Sequence, residues 1–231
     1  MDRPAEPDLR ELMGVIGHDF ADPSLLRLAL VHRSYQSEHG EPDSNERLEF
    51  LGDAVLGWVV ADLAFHRLPD DPEGRLSDLR QAVVNTGALA DRAREISLGD
   101  YVLLGQGESA GGGRDKDSIL ADSFEAVIGA VYLDGGDAAA AAFVRRMLAA
   151  SVEDTIPVLD TVDAKTALQE LCAAEGLPVP RYDTDGEGPD HDRVFTAEVT
   201  VDGRVLGSGT GRTKKSAEQV AARAAIAALS R

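Results

Sequence analysis

The chain of 231 residues contains a single cysteine, Cys172. One thiol cannot close a disulfide within the chain, which fits the reducing environment of the cytoplasm. Long apolar runs are also absent: no stretch of about 18 apolar residues is present, so no transmembrane helix is expected. The first residues, MDRPAEPDLRELM, are polar and acidic and do not resemble a signal peptide. We therefore expect a cytoplasmic protein with no membrane partner.

Positive charge is scarce as well. The chain has 23 Lys and Arg residues against 41 Asp and Glu residues, a formal net charge of −18. Residues 1–159 hold 14 basic and 29 acidic side chains, and residues 160–231 hold 9 and 12. A protein that binds polyanions in general carries a basic footprint. Any contact with nucleic acid must therefore depend on local basic clusters and on bound cations.

Two kinds of site are excluded by what is missing. There is no cysteine cluster and no histidine pair, which argues against zinc and against a nuclease that attacks through the RNA 2′-hydroxyl. The glycine-rich stretch Glu108–Ser118, ESAGGGRDKDS, lacks the GxxxxGK[ST] spacing, so no nucleotide cofactor is expected. Apart from His191, we interpret the scattered histidines as structural or surface residues: His18, His32, His39 and His66.

The most informative stretch is Asn45–Leu56, which reads NERLEFLGDAVL. Glu46, Glu49 and Asp53 are spaced by three and then four residues, so an α-helix places them on one face. The opposite stripe is apolar at helical period: Leu48, Leu51, Val55, Trp58 and Val59. The simplest interpretation is a surface helix whose acids are solvated.

Two details favour a binding role for these acids. No Lys or Arg lies among them at pairing distance, because Arg47 projects elsewhere. Gly52 and Gly57 lie inside the helix, where each costs roughly 1 kcal/mol relative to Ala, so a close approach to the backbone is expected. Like charges on one face repel one another, and a divalent cation is the simplest ligand that would turn this repulsion into binding.

A second stretch, Ser118–Leu133, reads SILADSFEAVIGAVYL and is apolar nearly all round, which is typical of a buried helix. It holds Asp122 and Glu125 three residues apart. Buried carboxylates need a partner. A structural salt bridge is the alternative, but this helix offers no basic residue. Acids converging from two helices favour a hard oxygen-ligand site for Mg²⁺ or Mn²⁺.

Periodicity and helix breakers predict a first part that is mostly helical. Helices are expected at Leu9–Ile16, Pro23–His32, 45–68, Leu76–Ala93, Ser118–Leu133 and Ala138–Val152. We predict a polar loop at Tyr35–Ser44, an extended piece at Tyr101–Gly107 and a mobile lead-in to the buried acidic helix at Glu108–Ser118. Asp43 or Ser44 is expected to cap the main acidic helix.

Composition and period change near Asp154–Asp163. Beyond this boundary the sequence predicts a helix, three strands and a helix, that is, a small α+β domain. The elements are expected at Lys165–Glu175, Arg181–Thr184, Val194–Val201, Val205–Thr210 and Lys214–Leu229, with turns at Gly186–Pro189 and Asp202–Gly203. We therefore expect domains at 1–155 and 163–231, joined by a linker at 156–162.

NERLEFLGD, at Asn45–Asp53, and LADSFEAVIGAVYLD, at Leu120–Asp134, resemble the two acidic motifs of the ribonuclease III family. The resemblance covers nearly the whole chain, and the C-terminal part is similar to a double-stranded-RNA-binding domain. It implies an all-α N-terminal endonuclease domain followed by a small α+β (αβββα) RNA-binding domain. It also implies a homodimer that cuts double-stranded RNA at two active sites.

The resemblance implies roles for residues of the nuclease part. The implied metal ligands are Glu49, Asp53, Asp122 and Glu125, of which Asp53 and Glu125 are the implied catalytic residues. Glu46 and Glu73 match family acids as additional, weaker site residues, and Phe50 matches an aromatic residue of the dimer interface.

The resemblance also implies an RNA-binding surface: Thr166, Gln169, Glu170, His191, Lys214 and Lys215. Such domains read the shape of A-form RNA across two minor grooves and the phosphates between them. Taken alone, two lysines at a helix start are more often a solvated pair. The chain departs from a basic pattern in its first hairpin, where acids crowd: Asp183, Asp185, Glu187, Asp190 and Asp192. This acidity is expected to weaken RNA affinity.

We therefore predict an endoribonuclease that depends on Mg²⁺, with Mn²⁺ able to substitute. Hydrolysis is expected to leave 5′-phosphate and 3′-hydroxyl ends with short 3′ overhangs, in rRNA and mRNA processing. One alternative is a protein that binds double-stranded RNA without cutting it. Another is a helical metalloenzyme acting on small phosphates, which the C-terminal domain disfavours.

Overall fold

The computed structural model describes residues 8–162, 164–187, 193–211 and 213–229. The chain divides into two units, Met1–Thr155 and Ile156–Arg231. The first unit is helical, and the second contains a helix, three antiparallel strands and a helix. The predicted fold class is therefore confirmed.

The elements have the following bounds. The helices are α1 Leu9–Ile16, α2 Pro23–Ala29, α3 Arg33–His39, α4 Glu46–Arg67, α5 Glu73–Val83, α6 Thr86–Glu95, α7 Gln106–Ala110, α8 Asp117–Val162, α9 Ala164–Ala174 and α10 Lys214–Leu229. The strands are β1 Arg181–Glu187, β2 Val194–Val201 and β3 Arg204–Gly211, and short 3₁₀ turns lie at Leu98–Asp100 and Gly113–Asp115.

Helix α8 forms the centre of the first unit. Its first half is apolar on nearly every side, and Phe124, Val127 and Ile128 are fully buried. Gly136, with φ of 76°, interrupts the helical backbone between the two helices that the sequence predicted here. By length and composition alone, Asp117–Pro157 is apolar enough to cross a membrane, but half of its most apolar window is buried within the protein, as in a core helix.

Helix α4 lies directly against α8. A Cβ atom on Gly52 would overlap the backbone carbonyl of Glu125, and one on Gly129 would overlap the carbonyl of Leu48. The two backbones therefore touch, which only glycine permits. The predicted close approach is confirmed at Gly52. It is wrong for Gly57, where the described residues leave nothing within 4 Å of an added Cβ.

The predicted loop at Tyr35–Ser44 is wrong in its first half, which belongs to α3. Helix α2 ends at Ala29 rather than His32 because backbone hydrogen bonds tighten the turn, with Leu30 N–H donating to the carbonyl of Arg27. His32 then caps α3. The fully buried Tyr35 anchors this helix in the core, which its polar sequence does not reveal.

The single predicted helix at Leu76–Ala93 is also wrong. The structure has two helices here, because the Asn85 side chain accepts a hydrogen bond from the N–H of Ala88 at 3.0 Å and starts α6. The predicted extended piece at Tyr101–Gly107 is reduced to one bridge between Val31 and Leu103. These breaks depend on side-chain caps and distant pairing, which periodicity does not report.

The segment predicted as a glycine-rich lead-in is built around α7 and a 3₁₀ turn. Arg114 donates hydrogen bonds to the carbonyls of Gly99, Asp100 and Val102. Arg94 donates to Asp115 at 2.8 Å and to Asp117 at 2.6 Å. These contacts fix the approach to α8.

The second unit has the strand order β1-β2-β3. Asp202 and Gly203 both have positive φ, 51° and 73°, which is the two-residue hairpin turn that the Asp-Gly pair predicted. Gly207 and Gly209 let α10 lie against β3, because a Cβ on either would overlap that helix. The core between the sheet and its helices consists of small and medium apolar residues: Leu168, Cys172, Ala197, Val199, Val201, Ala217 and Ala221.

Candidate active site

The crossing of α4 and α8 brings carboxylates of the two helices together. One oxygen of each of Glu49, Asp122 and Glu125 lies within 4.8 Å of the others, and all three residues are partly buried. Oxygens that share one Mg²⁺ are at most about 4.2 Å apart, since each Mg–O bond is ~2.1 Å. A small rotation of these side chains would therefore bring the three oxygens to the spacing of ligands that share one ion.

Asp53 stands beside this cluster rather than in it. Its side chain is exposed, and its oxygens do not join the three-carboxylate group among the described residues. Its charge nevertheless raises the pKa of both Glu49 and Glu125. The structure thus brings three of the four predicted ligands together and places the fourth within their electrostatic field.

The two additional acids are placed differently. Glu46 lines the same cavity and accepts a hydrogen bond from Ser44 Oγ at 2.8 Å. The predicted side-chain cap of α4 is therefore wrong: Asn45 is the N-cap residue and its side chain makes no capping bond. Glu73 begins α5, is exposed, and accepts from Ser77 Oγ at 2.7 Å. Within the described residues it does not line the cavity.

Mutual repulsion and burial set the electrostatics of the cluster. Burial, followed by the charges of Asp53, Glu49 and Asp122, raises the pKa of Glu125 to about 8. Burial and the neighbouring acids also raise the pKa of Glu49. Burial raises the pKa of Asp122, although the nearby His32 and Arg33 act in the opposite direction. Burial and mutual repulsion thus oppose the simultaneous ionisation of all the carboxyl groups in this cluster.

This donor set fits a hard divalent cation. The converging atoms are all carboxylate oxygens, and a cation would relieve the repulsion that raises the pKa of Glu49 and Glu125. Cysteine is absent from the group, and so is histidine, which disfavours zinc.

A cavity of about 330 Å³ opens beside the cluster. Its walls combine the acids with residues of the α2–α3 turn and of the segment before α8: His32, Arg33, Asn45, Glu46, Glu49, Glu108, Lys116, Ser118, Ile119 and Asp122. Lys116 forms an ion pair with Glu108. The basic side of this cavity was not predicted from the sequence, where His32 is interpreted as a structural or surface residue. The sequence feature that could have indicated this basic side is the adjacent pair His32 and Arg33, which is separated along the chain from the acids.

The outer side of α4 carries exposed apolar residues. Phe50 is 80% exposed, Phe65 is 67% exposed and Trp58 is 47% exposed. Trp58 was predicted on the buried stripe, and this is wrong, because the contact at Gly52 rotates α4 so that Trp58 faces outward. The exposed apolar residues, with Ala54 and Ala61 between them, form what we call the α4 stripe.

The predicted RNA-binding residues are partly described. Thr166, Gln169 and Glu170 are exposed on α9, and Lys214 is exposed at the start of α10. His191 and the Lys215 side chain lie outside the described residues.

The acids of the first hairpin lie on the sheet surface that the helices leave uncovered. Asp183, Asp185 and Glu187 alternate along β1, and Asp183 pairs with Glu198 of β2. Tyr182 and Phe195 point to the other side, where they pack on the core. Asp183, Asp185 and Glu187 therefore lie on the side of the domain opposite the exposed residues of α9.

Two family models match the chain. Residues 22–152 match the model described as Ribonuclease-III-like, and residues 164–229 match the double-stranded RNA binding motif.

Curated relatives match nearly the whole chain. Ribonuclease 3 of Thermobifida fusca is 52% identical over 226 residues, which covers 98% of this chain and 93% of the relative. Ribonuclease 3 of Mycobacterium tuberculosis H37Rv is 52% identical over 222 residues, covering 94% and 92%. Among solved structures, the nuclease domain of the Campylobacter jejuni enzyme is 41% identical with a TM-score of 0.58, and the match covers 61% of this chain and 96% of that domain. The resemblance drawn from the two motifs is confirmed.

Proposed function

Because this chain belongs to the ribonuclease III family and is an endoribonuclease, we propose that it hydrolyses double-stranded RNA with the help of a divalent cation, Mg²⁺ or in its place Mn²⁺. The observation that carries the proposal is the convergence of carboxylate oxygens from Glu49, Asp122 and Glu125 within 4.8 Å. These residues would hold the cation, and Asp53 would complete the site from its edge.

The cation would lower the pKa of a coordinated water and neutralise charge on the phosphate. The protein must supply carboxylate oxygens in their ionised form. Glu125 has a pKa of about 8, so it must lose its proton before its carboxylate can act as a ligand. Affinity for the cation should therefore rise with pH. We assign the catalytic roles to Asp53 and Glu125, with Glu46 and Glu73 as weaker additional acids.

We propose that water attacks phosphorus and that the 3′ oxygen leaves, which yields 5′-phosphate and 3′-hydroxyl ends. The cavity wall supports this chemistry, because its described residues include one histidine and no second imidazole that could form an acid–base pair for attack by the 2′-hydroxyl. Processing of rRNA and mRNA in the cytoplasm is the proposed role.

Assembly as a homodimer is part of the same proposal. The α4 stripe exposes Phe50, Trp58 and Phe65 along one helix, and exposed apolar patches of this kind mark interaction surfaces. The Campylobacter nuclease domain has a region involved in dimer formation. Two sites in one dimer, each cutting one strand, would produce the short 3′ overhangs.

We propose residues 1–155 as the catalytic domain, 156–162 as the linker and 163–231 as the RNA-binding domain. Residues 156–162 continue α8 as a helix, with Pro157 inside it. The proposed RNA contacts are Thr166, Gln169, Glu170, His191, Lys214 and Lys215. Lys214 and Lys215 lie at the N-terminus of α10, where their charges and the helix N-terminus would together bind a phosphate.

The test is digestion of a long RNA duplex in Mg²⁺ and in EDTA, with analysis of both ends of the products. Cleavage in Mg²⁺ alone, with 5′-phosphate ends, is the expected result. Glu125→Gln should abolish cleavage while leaving duplex binding nearly intact. Binding of the duplex without cleavage by the wild-type protein in Mg²⁺ would identify a binding protein and overturn the proposal.

A further inference from the structure

His32 has one ring nitrogen committed to local structure. Its Nδ1 accepts the backbone N–H of Ser34 at 3.2 Å, which caps α3, and lies 2.8 Å from Ser34 Oγ. Ser34 Oγ in turn accepts the N–H of Gly105 at 2.9 Å. The ring is therefore held in place by α3 and by the residue that precedes α7.

These contacts determine the tautomer. A backbone N–H can only donate, so Nδ1 must be the unprotonated nitrogen, and in the neutral ring the proton is on Nε2. Burial lowers the pKa of His32, which also favours the neutral form. No hydrogen-bond partner of Nε2 is found among the described residues, and the ring lines the acidic cavity. An N–H donor is thus left available there.

Two other donors line the same cavity. Arg33 is exposed, its charge acts on Glu49 and Asp122, and within the described part of the chain it forms no ion pair. The side-chain amide nitrogen of Asn45 is buried and has no hydrogen-bond partner within the described ranges of the chain. A phosphodiester that approaches the acids is repelled by them, so it needs donors of this kind on another wall.

We propose that Nε2–H of His32 and the guanidinium of Arg33 anchor the phosphodiester group of the RNA strand being cut. This inference rests on the proposed function, because it assigns a substrate contact within the same cavity. The cavity then has two sides: carboxylates from α4 and α8 that would hold the cation, and neutral or cationic donors from the α2–α3 turn that hold the phosphate oxygens.

Two substitutions separate the two nitrogens of His32. In His32→Asn the side-chain oxygen can replace Nδ1 as the cap of α3, since Asn is a strong N-cap residue, but the Nε2–H donor is lost. In His32→Gln the amide nitrogen can reach the position of Nε2, but the cap is lost. If His32 has only a structural role, His32→Gln should be the variant that slows cleavage. If His32 anchors the phosphate, His32→Asn should be the variant that slows cleavage.

The experiment measures single-turnover cleavage of a duplex RNA in saturating Mg²⁺, together with Tm. We expect His32→Asn to keep the wild-type Tm and to cleave about 100-fold more slowly, the size of effect seen when one donor to a developing oxyanion is removed. We expect His32→Gln to unfold at a lower temperature and yet to cleave within a few-fold of the wild type.

Arg33→Ala should also slow cleavage, and Arg47→Ala is its matched control. Arg47 is an exposed arginine of α4 that does not line the cavity, and its removal changes the net charge equally. Wild-type rates in both His32→Asn and Arg33→Ala would overturn the inference. The proposed function would still stand if the wild-type protein cleaved the duplex in Mg²⁺, so the two failures are distinguishable.

Discussion

Gly52 of α4 and Gly129 of α8 lie backbone against backbone. A Cβ placed on Gly52 would lie 3.1 Å from the amide nitrogen of Gly129 and would overlap the carbonyl of Glu125. This contact sets the distance between the two acidic helices. It therefore sets the separation of Glu49 from Glu125.

Gly52→Ala should force the helices apart. We expect a loss of roughly 1–3 kcal/mol in the free energy of unfolding, the usual range for overpacking, and a loss of cleavage. The control is Gly14→Ala, in α1, where an added Cβ meets nothing within 4 Å. It should stabilise the protein by about 0.5–1 kcal/mol. Chemical denaturation measures both, and equal stability of the two variants would contradict the contact.

The pKa of Glu125 predicts how stability depends on pH in EDTA. Its folded value is about 8 against an ordinary 4.5, so between these limits the folded state binds more protons than the unfolded state. The contribution of this group is therefore present at low pH and is lost as pH rises toward 8. Between about pH 5 and about pH 8, the Tm of the wild type should fall more steeply with pH than the Tm of Glu125→Gln.

Glu95→Gln is the control for that titration. It removes an exposed carboxylate at the end of α6 and leaves the buried cluster intact. Its curve of Tm against pH should parallel the wild-type curve. If the curve of Glu125→Gln were parallel too, the raised pKa would be contradicted.

Mg²⁺ should stabilise the folded protein in the absence of RNA. A ligand at a hundredfold excess over its Kd adds about 2.7 kcal/mol to the free energy of unfolding. Glu49→Gln should abolish the increase in Tm, because Glu49 belongs to the converging group. Asp53→Asn should retain part of it, since Asp53 stands beside that group. Calorimetry with and without Mg²⁺ measures the effect, and an undiminished increase in Glu49→Gln would exclude this site.

Phe50→Glu should convert the proposed dimer to a monomer, because it places a charge at the most exposed apolar residue of the α4 stripe. Val15→Glu is the control, since Val15 is also an exposed apolar residue but lies on α1. Analytical ultracentrifugation at micromolar protein concentration measures the molar mass and so distinguishes monomer from dimer. A Phe50→Glu protein that remained dimeric would remove the α4 stripe from the interface.

Replacing Lys214 and Lys215 together by Ala should weaken duplex binding and reduce the slope of log K against log salt by about 2, since each phosphate contact contributes about 0.9. Arg181→Ala is the control, because Arg181 begins β1 on the acidic side of the sheet. Its slope should match that of the wild type. An unchanged slope in the double variant would place these lysines away from RNA.

The features that sequence determined are local ones. The spacing of Glu46, Glu49 and Asp53 follows from helical geometry, as does the pairing of Asp122 with Glu125 on α8. The Asp202–Gly203 hairpin is set by backbone conformations that few residues adopt. Each depends on residues within one turn or one helix, so the chain itself carries the information.

Only the tertiary structure decided how these elements meet. The contact at Gly52 turned Trp58 outward, left Asp53 beside the carboxylate cluster, and joined Glu49 to Asp122 and Glu125. Backbone hydrogen bonds from Asn45 N–H to the carbonyl of Val31 and from His32 N–H to the carbonyl of Leu103 hold the α2–α3 turn at the cavity. There His32 and Arg33 face acids from distant parts of the chain. Spacing along a sequence reports which residues share a helix face. Tertiary packing decides which residues that face contacts, because packing depends on the shapes of all the surfaces that become buried when the chain folds.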